Sequence, residues 1–393
     1  MRALAALSVL FFHVTYAYGY PRSGLLQYLS QRNAGPPITG VVLFFLISGF
    51  VLYRPFVQAR VAGQPMPPLV PYSVRRIARI VPAYWLALAI VTVWLGLHEV
   101  MTPGGVIRYF GFLQLYGTFN TANKGISQAW TLCVEVTFYA MLPLLALGVR
   151  RLGGQRTVLR SEVALCVGLV LASLIWQAII CWRVPSSNGW KVPLLWTLPG
   201  SLDMFAAGMA LAIASVMLER RASAPRWVDV VDRAPWLPWL LAGGVFYLVG
   251  RAPSLARHGF ALWWITSHEL KAIGCALLML PVVFGTMNRG WLRRVLGWSP
   301  LIWIGTISYG VYLWHKPLLT KLAPHLVHRG ELFTTVALTA VTVAVAAVSF
   351  YAVERPIQRL ARRYIKARGA RDEGPAVAPD LAYVATVPKD PVT

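Results

Sequence analysis

Residues 1–20, MRALAALSVLFFHVTYAYGY, hold one arginine, ten mostly apolar residues, a histidine and then more apolar residues. A stretch this long and this apolar reaches across about 30 Å of hydrocarbon as a helix. Lipid offers exposed backbone no hydrogen-bond partner, so such a segment is helical or belongs to a closed barrel. The pattern recurs at about 38–57, 77–97, 127–148, 163–182, 193–217, 235–250, 262–287, 300–320 and 332–352. Together with the first span, at about 3–20, these segments make the fold class all-α. The expected architecture is a polytopic integral membrane helix bundle of about ten transmembrane helices. Pro143, Pro199 and Pro281 fall within spans and mark kinks or close packing.

Composition agrees. The 393 residues are 57% hydrophobic and 13% charged, where a soluble domain carries about 25% charge. A formal charge of +23 raises the question of nucleic acid. The basic residues, however, fall in short clusters between apolar runs, which is how topology signals are distributed, not a polyanion groove. With the N-terminus in the cytoplasm, about 25 of the 37 Lys and Arg lie on that side, and every inside loop shares the excess. Both termini are therefore expected in the cytoplasm, with the chain a multi-pass protein of the inner (plasma) membrane. The string Ala17-Tyr18-Gly19 also fits a secretory signal, but the next span begins too soon for a released domain. Residues 1–367 read as one membrane domain. Residues 368–393, rich in Pro, Ala, Val and Asp without periodicity, read as a disordered cytoplasmic tail. Cys133, Cys166, Cys181 and Cys275 stand singly in apolar surroundings without metal-ligand spacing, so no metal is expected.

Ionisable groups inside a membrane cost several kcal/mol unless paired or hydrated, which makes them functional candidates. Arg2 and His13 are three helical turns apart on one face, about 16 Å along the axis. With Arg2 at the cytoplasmic edge, His13 is expected near the midplane. Glu135, in SQAWTLCVEVTFYAMLPLL, lies about 12 Å below the outer surface, at a similar depth. Imidazole beside carboxylate is a general-base arrangement. The competing reading is polar residues that link helices, and depth alone does not choose. Asp203 is also near mid-depth, in GSLDMFAAGMALA, where helix packing competes. His268, Glu269 and Lys271 lie in the outer part of one span, where snorkelling competes. In YSVRRIARIVPAYW, Arg75, Arg76 and Arg79 open the third span. Their guanidinium forks suit the phosphates of a cofactor, and plain positive-inside anchoring is the alternative.

These stretches together resemble the acyltransferase-3 family of bacterial integral membrane O-acyltransferases. Arg2 and His13 fit its Arg-x10-His opening. GVVLFFLISGFVL is similar to its second helix, RRIARIVPAYW to its Arg-x-x-Arg segment and WTLCVEVTFYAMLPLL to its Trp-Ser-Leu-x-x-Glu-Glu-x-Phe-Tyr block. ISYGVYLWHKPL and VERPIQR resemble its last two helices. The resemblance implies transfer of an acyl group, often acetyl, from cytoplasmic acyl-CoA to a sugar hydroxyl of a surface glycan, glycolipid or secreted metabolite. It implies a catalytic role for His13 with support from Arg2, places Arg76 and Arg79 in the CoA-side motif, with Arg75 beside them, and matches Glu135 to the first family glutamate. Val136 stands where the family has its second glutamate. The Asp-Gly-Leu that usually precedes the arginine is absent, so either the coding start lies upstream of Met1 or Arg2 works beside the terminus. Without a fused esterase-like domain the chain is expected to complete its transfer alone.

Direct attack of the acceptor and an acyl-histidine intermediate are both open to His13. The strongest reading from another class is a transporter or flippase of a lipid-linked or acylated product, its midplane charges serving as substrate or proton sites. No inverted repeat or interrupted helix pair supports it.

Overall fold

A computed structural model describes residues 1–18, 39–154, 157–221, 223–251, 259–284 and 291–372. The described residues are mostly helical and contain no strand. The long helices are α1 (Arg2–Tyr18), α2 (Thr39–Val61), α3 (Leu69–Leu95), α4 (Trp130–Leu152), α5 (Val158–Arg183), α6 (Leu202–Glu219), α7 (Trp236–Arg251), α8 (Phe260–Val283), α9 (Ser299–Leu326), α10 (Glu331–Ser349) and α11 (Arg355–Asp372). A single π turn, Phe350–Glu354, joins the last two. Within the described residues, each of the ten apolar segments read from hydropathy overlaps one of α1–α10. Among the described residues, seven stretches are long and apolar enough to cross a membrane. The apolar stretch of α1, Arg2–Val14, is shorter.

Helix ends depart from the apolar spans for physical reasons. α3 starts at Leu69, well before its apolar run, because the polar turn around Tyr72–Arg76 continues the helix past the hydrocarbon. The span expected over 193–217 is broken at Pro199: a short helix, Lys191–Trp196, and a 3-10 turn, Leu198–Ser201, precede α6. Proline lacks the N–H that an uninterrupted helix would need there. Pro143 and Pro281 are instead accommodated inside α4 and α8. The tail expected from residue 368 is helical as far as Asp372, and the rest of it, like residues 19–38, lies outside the described residues.

α2 and α6 form the centre. In each, 72% of the apolar window is buried, against 28% in peripheral α5. Their backbones touch at two glycines: a Cβ on Gly208 would overlap the Leu46 carbonyl oxygen, and one on Gly49 the Phe205 carbonyl oxygen. Lipid gives no hydrophobic drive between helices, so close backbone approach is what holds such a pair. Phe205 then stacks between Phe45 and Phe138, centroids 4.8 and 3.9 Å away, which ties in α4.

One buried ion pair locks α2 to α5. Arg60 Nη1 donates to Glu162 Oε1 at 2.7 Å, its Nη2 donates to Ser161 Oγ and to the Gly153 carbonyl, and the Tyr53 hydroxyl donates to Glu162 Oε2. Both oxygens of Glu162 and both terminal nitrogens of Arg60 are thus engaged, which offsets the cost of burying the pair.

Helix directions follow from paired contacts. Gly305 faces Ala3 and His315 faces His13, so α1 and α9 run parallel. Phe45 meets Phe205 and Arg54 pairs with Glu219, so α2 and α6 run parallel. Gly310 faces Ala346 and Trp303 bonds Tyr351, so α9 and α10 run antiparallel.

Candidate active site

The direction of α1 beside α9 sets His13 against His315, ring centroids 4.9 Å apart. His315, fully buried, has its Nδ1 2.6 Å from the Tyr312 carbonyl oxygen. A carbonyl can only accept, so that nitrogen carries the proton and His315 Nε2 is left as an acceptor. His13 Nδ1 lies 2.9 Å from the Val9 carbonyl oxygen and 3.3 Å from His315 Nε2. Both partners accept, so His13 Nδ1–H donates to both and the lone pair of the ring is on Nε2. That is the tautomer a general base needs. Lys316, next in the chain after His315, is half-buried and close enough to act electrostatically on His13.

A second group of polar residues lines a cavity of about 50 Å³ between α1, α2, α3, α4 and α9, room for a few waters. Arg2 comes from α1, Ser48 from α2, Arg79 from α3, Glu135 and Tyr139 from α4, Tyr309 from α9. The Tyr139 hydroxyl donates to Glu135 Oε2 at 2.7 Å, one helical turn away. Arg79 and Arg76 are the cations that act on Glu135. Arg79 also acts on Glu354, which the π turn Phe350–Glu354 buries beside it. Single π turns inside helices are frequent at functional sites, where they aim one side chain differently from its helical neighbours.

The expected residues therefore divide between two places. Arg2, Arg79 and Glu135 share the cavity, and Arg76 is close to them. Arg75 is exposed on the surface of α3. Arg2 is not at the edge of the bundle: it shares the cavity with Ser48, about 14 Å into α2. His13 is then three turns further along α1, about 16 Å from the level of Arg2. The similar depth expected for His13 and Glu135 is not found, because Arg2, and not His13, shares the cavity with Glu135. Tyr139 is the partner of Glu135 and His315 that of His13.

His315, Lys316, Tyr139 and Glu354 were not singled out from the sequence. His315 and Lys316 carried a signal, two ionisable residues within the apolar run ISYGVYLWHKPL. Glu354 carried one in VERPIQR, but only the π turn reveals its inward aim.

A family model described as an acyltransferase domain matches residues 1–352. The chain belongs to the acyltransferase-3 family. Among curated relatives it is similar to the peptidoglycan O-acetyltransferase OatA of Listeria monocytogenes, 24% identical, over 91% of this chain and 55% of that protein. It is also similar to the O-acetyltransferase OatA of Staphylococcus aureus, 21% identical, over 91% of this chain and 56% of that one. The exopolysaccharide production protein ExoZ of Rhizobium meliloti is 25% identical over 82% of this chain and 90% of its own length. The chain thus spans about half the length of the two O-acetyltransferases. No solved structure matches it. Within the acyltransferase-3 family its match takes in every residue of both polar groups except Glu354, two positions beyond the matched range.

Proposed function

We propose that this chain is a multi-pass plasma-membrane O-acyltransferase that moves an acyl group, acetyl in the first instance, from cytoplasmic acyl-CoA to a hydroxyl of a surface carbohydrate. The observation that carries the reading is the histidine pair, since His315 and Val9 hold His13 with its Nε2 lone pair ready for a proton. Family membership supports acyl transfer. The names of the relatives, peptidoglycan O-acetyltransferase and exopolysaccharide production protein, support a glycan as acceptor.

The ten-span topology with both termini in the cytoplasm is part of the same reading. Parallel α1 with α9 and parallel α2 with α6 are what alternate crossings require, and the arginine excess sets the orientation. On this topology acyl-CoA enters from the cytoplasmic side. Its phosphates meet the guanidinium groups of Arg76, Arg79 and Arg2, which Glu135 keeps from repelling one another. The pantetheine arm then runs along α1 and brings the thioester towards His13.

In the reaction, His13 Nε2 takes the proton of the acceptor hydroxyl as its oxygen attacks the thioester carbonyl carbon. The resulting oxyanion faces the charge of Lys316. Collapse breaks the carbon–sulfur bond, the thiolate takes the proton back from the imidazolium, and the products are free CoA and the sugar ester. Arg2 supports the donor end of this path, not the histidine itself. His315, in place of Glu135, orients the base.

The test is mass spectrometry of surface glycans, lipids and secreted metabolites from a deletion strain complemented with the parent or with His13→Ala at matched membrane levels. One O-acylated species that returns only with the parent supports the proposal and identifies the acceptor. Its return with both proteins overturns the role of His13. A species that changes location without losing its acyl group favours transport.

A further inference from the structure

A second buried polar cluster lies outside the candidate active site, between α5, α6 and α8. Asp203 and His268 are 2% and 1% exposed, and Glu269 follows His268 on α8. One donor atom from each of the three residues lies within 4.8 Å of the others. Asp203 Oδ1 accepts from Ser173 Oγ at 2.7 Å, and Gln177 Nε2 donates to that same Ser173 oxygen at 3.2 Å. The other oxygen, Asp203 Oδ2, stands 2.9 Å from His268 Nε2. Yet the contact is off the N–H direction, and neither atom makes a hydrogen bond. By strict geometry His268 Nδ1 and Glu269 Oε1 are likewise buried without a hydrogen-bond partner, with Asp203 the carboxylate that acts on Glu269.

Buried polar atoms are almost always satisfied, so several orphans in one place ask for an absent ligand. Two carboxylates side by side in an apolar wall also need a cation or a shared proton between them, because an uncompensated buried charge is strongly destabilising. An imidazolium at His268 balances only one of them. Lys271 is on the opposite side of α8 from Glu269 and one turn beyond His268, and the charge that acts on it is that of Cys275, not of either carboxylate. A divalent cation balances both carboxylates and satisfies one oxygen of each together with one ring nitrogen of His268. We infer that Asp203, His268 and Glu269 form a binding site for a divalent transition metal, with Zn²⁺ the ion that fits the donor set.

One imidazole nitrogen and two carboxylate oxygens are ligands that zinc takes readily. Ser173 occupies one oxygen of Asp203 and leaves the other to ligate, with Gln177 behind it, which is how outer partners orient a metal-bound carboxylate. Three protein ligands leave a fourth position. Asp203 and Glu269 also line an apolar crevice of about 540 Å³ between α5, α6 and α8, so that position faces the crevice. The sequence showed no metal-ligand spacing because the ligands come from two helices and join only through the packing of α6 on α8. The site is independent of the acyl-transfer reading.

The test uses the full chain in detergent, free of a histidine tag, stripped with chelator and then dialysed against Zn²⁺. Bound zinc is measured by elemental mass spectrometry and affinity by calorimetry. The parent and His13→Ala are expected to retain one zinc per chain. Asp203→Asn and His268→Gln should retain at least tenfold less, and Ser173→Ala should bind about tenfold more weakly. Glu269→Gln, which keeps size and removes one charge, gives a further variant if either of the first two fails to elute as a single species. Absence of zinc from the parent, as a proton shared between Asp203 and Glu269 would produce, overturns the site. Equal zinc on the parent and on every folded ligand variant also overturns it, as adventitious binding.

Discussion

His13 Nδ1 faces two atoms that only accept, and this decides which nitrogen of the ring can act as base. At this scale His13→Ala is expected to abolish acyl transfer, measured as radiolabelled acetyl released to acceptor, with membrane insertion unchanged. His315→Ala removes one neutral hydrogen bond, about 1–3 kcal/mol when a buried donor is left partly unmet. A 10–100-fold fall in kcat follows, with KM for acyl-CoA little changed. His315→Gln, which keeps an acceptor, should recover part of the rate. A variant that lost rate through misfolding would not respond to that choice. The sequence marked His13 and passed over His315, because one histidine in an apolar span reads the same whether it orients a base or fills space.

At the scale of helices, the contact between α2 and α6 depends on two positions without a Cβ. Gly208→Val should lower stability by about 1–3 kcal/mol, the usual cost of overpacking, read as an earlier thermal transition in detergent. Gly49→Val should do the same, and the pair should be less than additive, since either one already separates the backbones. The lock between α2 and α5 gives a second test. Arg60→Met leaves Glu162 buried without its cation and should cost about 3–5 kcal/mol, while Arg60→Met with Glu162→Leu should recover most of it. Helix existence was legible from hydropathy for every element from α1 to α10. Helix ends were not, because α3 continues through a polar turn and Pro199 interrupts what hydropathy reads as one span. The aim of Glu354 was equally hidden, since a π turn shifts the helical phase and no residue pattern in VERPIQR announces it.

For the whole molecule, the placement of both termini is checked by reporter fusions. Green fluorescent protein at the C-terminus should fluoresce and alkaline phosphatase there should stay inactive; the reverse would invert the topology. Donor entry from the cytoplasmic side predicts that Arg79→Ala raises the acyl-CoA concentration needed for half-maximal rate by about tenfold or more, the value of one charge-assisted contact to phosphate. Arg75→Ala, exposed on α3, should change it little. A fall in kcat with unchanged acyl-CoA dependence would remove Arg79 from the donor site.

The sequence by itself determined that this is a helical membrane protein, which segments are apolar and which few ionisable residues lie among them. Those are properties of local composition, because the bilayer tests every segment for apolarity and helical length one at a time. The family likewise was legible, since its motifs are short and local. Only the tertiary structure decided which of the buried charges meet. It put Arg2 at the level of Ser48 and not at an edge, gave Glu135 to Tyr139 and the arginines, gave His13 to His315, and drew Asp203 to His268 across two helices. The physical reason is that depth along one helix fixes a residue's height but neither its rotation nor its neighbour. Those follow from which helices pack together, and that is set by contacts such as Gly49 and Gly208, far in sequence from the groups they align.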